Sequence, residues 1–243
     1  MKSKIVAEGK FYPEDISLEF ADFSNRKIDF ETENKIDEYW KKYAKVKKES
    51  GGMIWDAVTY RLEGLSQCDN KIDISLGEIN FSKRIGAREY LNELSVLGRD
   101  YYPAGIYLAS IIKTNDEYYV MGELSGKTVV ESDISLIGGV LSRDEMIIKN
   151  SVDIFEMLQR ELDEEIYIKN SEISDIYLRA ITQTERLNFG FIFCVNLNID
   201  AKDIQDRFVP NDEIAGVRFC SKKEIKNILR SMGGARALVG ELI

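Results

Sequence analysis

Apolar residues in "SVDIFEMLQRELDEEI" (151–166) recur at helical spacing: Ile154, Phe155, Leu158, Leu162 and Ile166. They form one stripe, so the segment predicts an amphipathic helix, with Ser151 as its N-cap and Asp153 in the first turn, where a carboxylate suits the macrodipole. "ENKIDEYWKKYAKVKKES" (33–50) predicts a second helix, apolar at Ile36, Tyr39, Trp40 and Tyr43, ended by Gly51-Gly52. Shorter helices are expected over 86–95 and over 221–232, the latter capped by Ser221.

Strand patterns fill much of the remainder. "ISLEFADF" (16–23) alternates, and 53–65 and 71–79 read as strands joined across "SQCDN". After "GRDYYP" (98–103) the texture changes. "AGIYLASIIKT" (104–114) is almost continuously apolar and β-branched, which predicts a central strand. Residues 117–124 pair back across "ND", "SLIGGV" (135–140) ends in glycines, and strands follow over 173–185, 188–199 and 213–221. Helices crossing such a sheet predict an α+β fold, an α-β-α sandwich, preceded by a small α/β unit; no GxGxxG or GxxxxGK[ST] run occurs.

Composition narrows the function. The 243 residues are 44% hydrophobic and 31% charged, as in a globular protein, with a formal net charge of −9. That charge argues against nonspecific nucleic-acid or anionic-membrane partners, which demand a basic footprint. No apolar run approaches the roughly 18 residues of a membrane span. The N-terminus has no signal-peptide core, and Cys68, Cys194 and Cys220 are scattered, so the cytoplasm is expected. There is no histidine, which removes the usual general base and any Ser-His or Cys-His nucleophile; acid-base work falls to Asp, Glu, Lys, Tyr or Cys.

Against that background the end of the 151–166 helix stands out. Glu161, Asp163, Glu164 and Glu165 crowd five positions with Arg160 alone beside them. At about 100° per residue, Glu161 and Glu165 fall at the edge of the apolar stripe and Glu164 flanks them. Each carboxylate near a helix C-terminus costs about 0.3–1 kcal/mol, and the Glu161/Glu165 pair at i,i+4 adds a few tenths. A divalent cation with oxygen ligands would reverse that balance. A solvated acidic face is the alternative reading.

The order strand, strand, "IGGV", polar loop, "RELDEE" resembles the Nudix hydrolases. Their box runs Gly, five residues, Glu, seven residues, then Arg-Glu-aliphatic-x-Glu-Glu-x-Gly-aliphatic. Arg160, Glu161, Leu162, Glu164, Glu165 and Ile168 match its second half, and Gly138 and Gly139 its paired glycines. Three departures stand out: twenty residues (140–159) separate Gly139 from Arg160 instead of thirteen, Val152 stands at the upstream Glu position, and Tyr167 replaces the terminal glycine. The chain most resembles the branch that hydrolyses UDP-glucose and UDP-galactose and carries an extra N-terminal domain, through Trp55, Tyr60, Arg61 and Leu62, the segment 75–90, and the helix pattern Val152, Asp153, Ile154, Phe155.

The resemblance implies a substrate-recognition domain over 1–102 and a Nudix domain over 103–243. It implies a metal-dependent pyrophosphohydrolase that cleaves a nucleoside diphosphate sugar such as UDP-glucose to UMP and sugar 1-phosphate. Glu161, Glu164, Glu165 and the Gly138 carbonyl are the implied ligands of Mg²⁺ (or Mn²⁺), and Arg160 orients the acids. Glu213 or Glu185 is the candidate general base. Phe81, Lys83, Arg84 and Arg88 are candidate substrate contacts, and the only partner implied is the nucleotide. Hydrolysis of another substrate such as ADP-ribose, or a catalytically silent nucleotide-binding protein, are the competing functions.

Overall fold

The computed structural model describes residues 2–21, 27, 30–52, 54–98, 100–126 and 132–243. Its main layer is a mixed sheet in the order β1-β8-β9-β5-β6-β10, with β7 also on β6. The strands are β1 (Lys4–Phe11), β5 (Ile106–Lys113), β6 (Tyr119–Leu124), β7 (Ile134–Ser135), β8 (Ile173–Gln183), β9 (Phe189–Leu197) and β10 (Ile214–Cys220). β5 lies inside this sheet, parallel to β9, as its unbroken apolar run implies. One face packs on the helix α4 (Ser151–Ile166), where Phe155 meets Phe193 edge-on at 5.1 Å. The opposite face, through Ala109, Met121 and Ile192, packs on α6 (Lys222–Met232) and α7 (Gly234–Leu242), which bury Ile225, Leu229 and Val239. The expected α+β, α-β-α architecture is therefore present.

A second sheet, in the order β2-β4-β3, is formed by β2 (Ile16–Phe20), β3 (Val58–Cys68) and β4 (Lys71–Asn80). Beside it lie α1 (Phe30–Glu49), α2 (Phe81–Gly86) and α3 (Leu91–Leu97), the last two linked by a 3-10 turn over Ala87–Tyr90. The helix expected over 86–95 is this 3-10 turn followed by α3, and α2 before it was not expected. The β3–β4 turn is tighter than the expected five residues: Cys68 already pairs with Lys71, and Asp69 takes a positive φ of 53°. Residues 22 and 23 of the expected 16–23 strand, Met53 of the 53–65 strand and Arg99 of the 98–103 boundary lie outside the described residues.

The strands of the small sheet all precede residue 103 and those of the main sheet all follow it, with one exception. β1 belongs by sequence to the 1–102 segment but pairs antiparallel with β8. "KIVAEGKF" carries too little apolar alternation to reveal an edge strand. On its free side, Gln67 of β3 stands where another strand would pair: its amide accepts from Glu8 N–H (3.1 Å) and donates to Glu8 C=O (2.9 Å). The two sheets also share one buried cluster, in which Leu62, Ile72 and Leu76 join Ile106, Leu158 and Leu162.

A single segment stitches everything together. Residues 137–143 lie between β5 and β3. Ser110 N donates to Ile137 O, Leu108 N to Gly139 O, Leu141 N to Ile106 O and Tyr60 N to Leu141 O. β7, just upstream, pairs with β6. Tyr60, buried, also takes the Ile148 N–H on its hydroxyl at 2.8 Å and so holds the chain entering α4. Tyr60→Phe strands that buried N–H, which costs roughly 1–3 kcal/mol. Urea unfolding should show a loss of that size; an unchanged midpoint would mean the hydroxyl bears no load.

Candidate active site

α4 begins one residue earlier in effect than its sequence suggests. Asn150, not Ser151, is the N-cap, its side chain accepting from Val152 N at 2.8 Å while Asp153 accepts from Asn150 N at 3.1 Å. Ser151 instead donates to Pro13 O at 2.7 Å. At the far end Tyr167 adopts the left-handed conformation, φ 61° and ψ 27°, and its N–H returns to Asp163 and Leu162 carbonyls. This is the conformation a glycine serves at the corresponding box position. Here a tyrosine takes it, its ring 6.3 Å from that of Phe208 and its hydroxyl donating to Val209 O at 3.3 Å.

The apolar stripe of α4 faces the sheet, which turns Glu161 and Glu165 towards the paired glycines. A Cβ on Gly139 would lie 2.6 Å from a Glu161 carboxylate oxygen, so Glu161 rests on bare backbone. Gly138 has φ +146°, and a Cβ there would lie 2.4 Å from Leu108 O. Its N–H bonds the Glu165 carboxylate. Among the described residues its carbonyl has no backbone partner, whereas those of Ile137 and Gly139 do.

Five acids share this corner. Burial, then the charges of Glu145 and Glu213, push Glu161 up to about 7, with Arg160 opposing. Burial, then Glu161 and Glu213, push Glu165 up to about 9, with the Gly138 N–H opposing. Glu213 is raised too, by partial burial and then by Glu164 and Asp212, although its loop is solvent-exposed. Asn211 holds that loop in place. Its side-chain oxygen accepts from Glu213 N (3.0 Å) and Ile214 N (2.8 Å), and its amide donates to Glu165 O (3.0 Å) at the end of α4. Arg160 meets Glu145 at 2.6 Å, also donates to the Glu145 carbonyl, and lies 3.5 Å from Glu164.

Glu145 corrects the reading of Val152. Val152 sits exposed on the first turn of α4. An acid stands earlier: the five residues 140–144 separate Gly139 from Glu145, the spacing that the resemblance implies for the upstream Glu. The insertion lies after it, fourteen residues (146–159) instead of seven, and the turn of 142–150 folds it back onto Arg160. Counting from the glycines would have found it. Asn211 had a weaker signal, an Asx-turn residue two positions before Glu213.

The other candidates scatter. Glu185 accepts from Ser3 and lies against Gly234 at the start of α7; burial raises its pKa, but the Ser3 hydroxyl and nearby arginines bring it below the ordinary value. Lys83 is held by Glu33 (3.0 Å) and Asp37 (2.5 Å) of α1, so its charge is spent on helix packing. Phe81 is edge-on to Trp40. Arg84 is buried over Phe81, with Arg88 close enough to disfavour its charge. Tyr60 and Arg61 are core, Arg61 paired with Glu63 at 2.8 Å, while Trp55 is exposed.

In donor chemistry the acidic corner fits a hard divalent cation, offering carboxylates, a backbone carbonyl and no soft ligand. In placement, no three Asp, Glu or Cys side chains among the described residues stand close enough to hold one. Glu165, turned to the Gly138 N–H, would have to rotate to meet Glu161 around an ion.

No family model matches the sequence, and the curated proteins contain no match to it. Among solved structures the chain is similar to DR0079 from Deinococcus radiodurans (13% identity over 57% of this chain and 80% of that one, TM-score 0.41). It is similar also to a Nudix hydrolase from Nitrosomonas europaea (16%, 56% and 87%, 0.34) and to a UDP-X diphosphatase (15%, 57% and 60%, 0.30). At these TM-scores the chemistry rests on the side chains alone.

The raised carboxylates have a signed consequence. Between the ordinary carboxylate pKa, about 4.3, and the folded value of about 9 for Glu165, the folded state binds more protons than the unfolded one. That stability is fully present below the lower value and is lost as pH rises through the higher. In chelator, the melting temperature should fall from pH 5 to pH 9, and Glu165→Gln should flatten the profile and stabilise the protein at the alkaline end. A wild-type profile already flat would place Glu165 in water.

Proposed function

We propose that the chain is a metal-dependent pyrophosphohydrolase of a nucleoside diphosphate sugar, UDP-glucose being the model substrate, releasing UMP and sugar 1-phosphate. The observation that carries this reading is the meeting of Glu161 and Glu165 on the Gly138-Gly139 backbone, with Glu145, Arg160 and Glu213 around them. Two carboxylates kept from water beside three more are unfavourable without a cation. A purely solvated face would have left both exposed.

Glu161, Glu165 and the Gly138 carbonyl, with Glu164 at the rim, would hold Mg²⁺ or Mn²⁺. Such an ion supplies charge neutralisation at the diphosphate and lowers the pKa of bound water. Arg160 keeps Glu145 and Glu164 from collapsing inward or drifting outward, a positioning role through its two ion pairs. Glu213 is the favoured proton acceptor over Glu185, since only Glu213 bears on the charges of Glu161 and Glu165. The Asn211 turn sets its reach.

Release of UMP from UDP-glucose by the purified protein, dependent on Mg²⁺ and abolished by chelator, tests the reading. ADP-ribose cleaved in preference would change the substrate, and no turnover on either would leave a nucleotide-binding protein. Glu161→Gln and Glu165→Gln should each cut kcat by about 10²-fold or more. Glu213→Gln should cut it by about 10²–10⁴-fold, the range for a general base. Near wild-type turnover in Glu213→Gln would pass the proton to another group.

A further inference from the structure

The two ends of the main sheet are finished differently. At one end Gln67 stands against β1 and occupies the Glu8 N–H and C=O. At the other end lies β10. Among the described residues, the backbone of residues 215–219 has no hydrogen-bond partner besides β6. A free edge is a template for another strand unless proline, lysine or a bulge blunts it. β10 contains no proline and no lysine, and its one irregularity against β6 lies at its start, between Ile214 and Gly216. From Gly216 to Cys220 the register is regular, and Val217 and Phe219 pack on the main core, so the edge is fixed in place. On the opposite face a groove of about 350 Å³ lies between β10 and α6, lined by Arg218, Cys220, Glu224 and Asn227 among others.

The side chains at this edge are self-complementary. Arg218 is the only charged residue of β10. Its Nε stands 3.4 Å from a Glu123 carboxylate oxygen on β6, and both side chains are half-exposed. Glu123 pairs across the sheet with Gly216, and its carboxylate covers that glycine: a Cβ on Gly216 would lie 2.7 Å from it. Residues 216 and 218 share one face of the strand. The rim therefore presents a cation and, two residues away, an anion lying over bare backbone. We infer that this edge docks a second copy of the chain, two β10 strands pairing antiparallel about Val217 and continuing the main sheet through a twofold axis. In that register Arg218 falls opposite Gly216 of the second copy. The Glu123 carboxylate of that copy then lies one strand spacing, about 4.8 Å, from the Arg218 backbone, within reach of its guanidinium. The twofold axis makes this contact twice.

Sedimentation tests the pairing. Wild type should pass from monomer to a species of twice its mass as concentration rises through the micromolar range, as a small interface does. Arg218→Glu sets like charges against each other at both contacts, and so does Glu123→Arg. Each alone should weaken association by about tenfold or more. Mixed in equal amounts, the two variants should recover the dimer, because a pair of unlike copies restores both contacts. The pair within each chain stays repulsive in either variant, so recovery on mixing comes only from contacts between copies. Amide hydrogen exchange of residues 215–219 in wild type should slow with rising concentration, and it decides the matter if a variant fails to fold. A wild type that stays monomeric, with exchange independent of concentration, overturns the proposal and leaves the edge to an extended peptide of another protein. A dimer that both variants retain, or that mixing folded variants does not restore, overturns it as well.

Discussion

The site depends on one close approach: the Glu161 carboxylate lying on the side-chain-free backbone of Gly139. Any Cβ there would overlap the carboxylate, and the neighbouring Gly138 has a φ that L side chains rarely adopt. The approach needs two elements fixed at once. The 137–141 segment is pinned by hydrogen bonds to β5 and to Tyr60 of β3, and α4 is pinned by its buried stripe. The carboxylates are thus held by backbone rather than by counter-charges. An unfavourable charge cluster survives in a folded protein under that condition, because the surrounding packing over-determines it.

Much of this was legible in the sequence because α4 obeys a strong period. Its limits, its stripe and the inward turn of Glu161 and Glu165 follow from Ile154, Leu158, Leu162 and Ile166. What could not be read was where non-local partners bring loops. Asn150 outcompeted Ser151 as cap because Asp153 completed a capping box with it and Pro13 claimed the serine hydroxyl. Glu145 was hidden by an insertion that restores itself only in three dimensions, through Arg160. Lys83 looked like a phosphate ligand because sequence cannot show that Glu33 and Asp37 of α1 face it. β1 and α5 (Ala201–Arg207) have too few apolar positions to announce themselves; β1 is ordered by β8, and α5 by Asp200 with Asp203 at its start.

The small sheet has a mechanical part in this arrangement. β3 pairs with β4 along one edge and reaches the main layer along the other: Tyr60 N and Leu62 N donate to Leu141 and Ala104, and Arg143 N returns to Val58. The Tyr60 hydroxyl reaches 88 residues along the chain to Ile148. The first half of the chain therefore braces the loop that carries Glu145. The core that the two sheets share supports this bracing, with Leu62, Ile72 and Leu76 packed into one cluster with Leu158 and Leu162.

The acidic corner is an electrostatic exception that the protein does not resolve by itself. Arg160 acts on Glu161 but is shared between Glu145 and Glu164, and Glu165 is raised by its neighbours with the Gly138 N–H opposing them. The buried Arg84 guanidinium, held on Ile106 O, is not among the charges that act most on either carboxylate. Buried carboxylates without a counter-charge are costly, and a bound cation would relieve them. The free protein holds its like charges together by backbone geometry, and their compensation would come from a ligand.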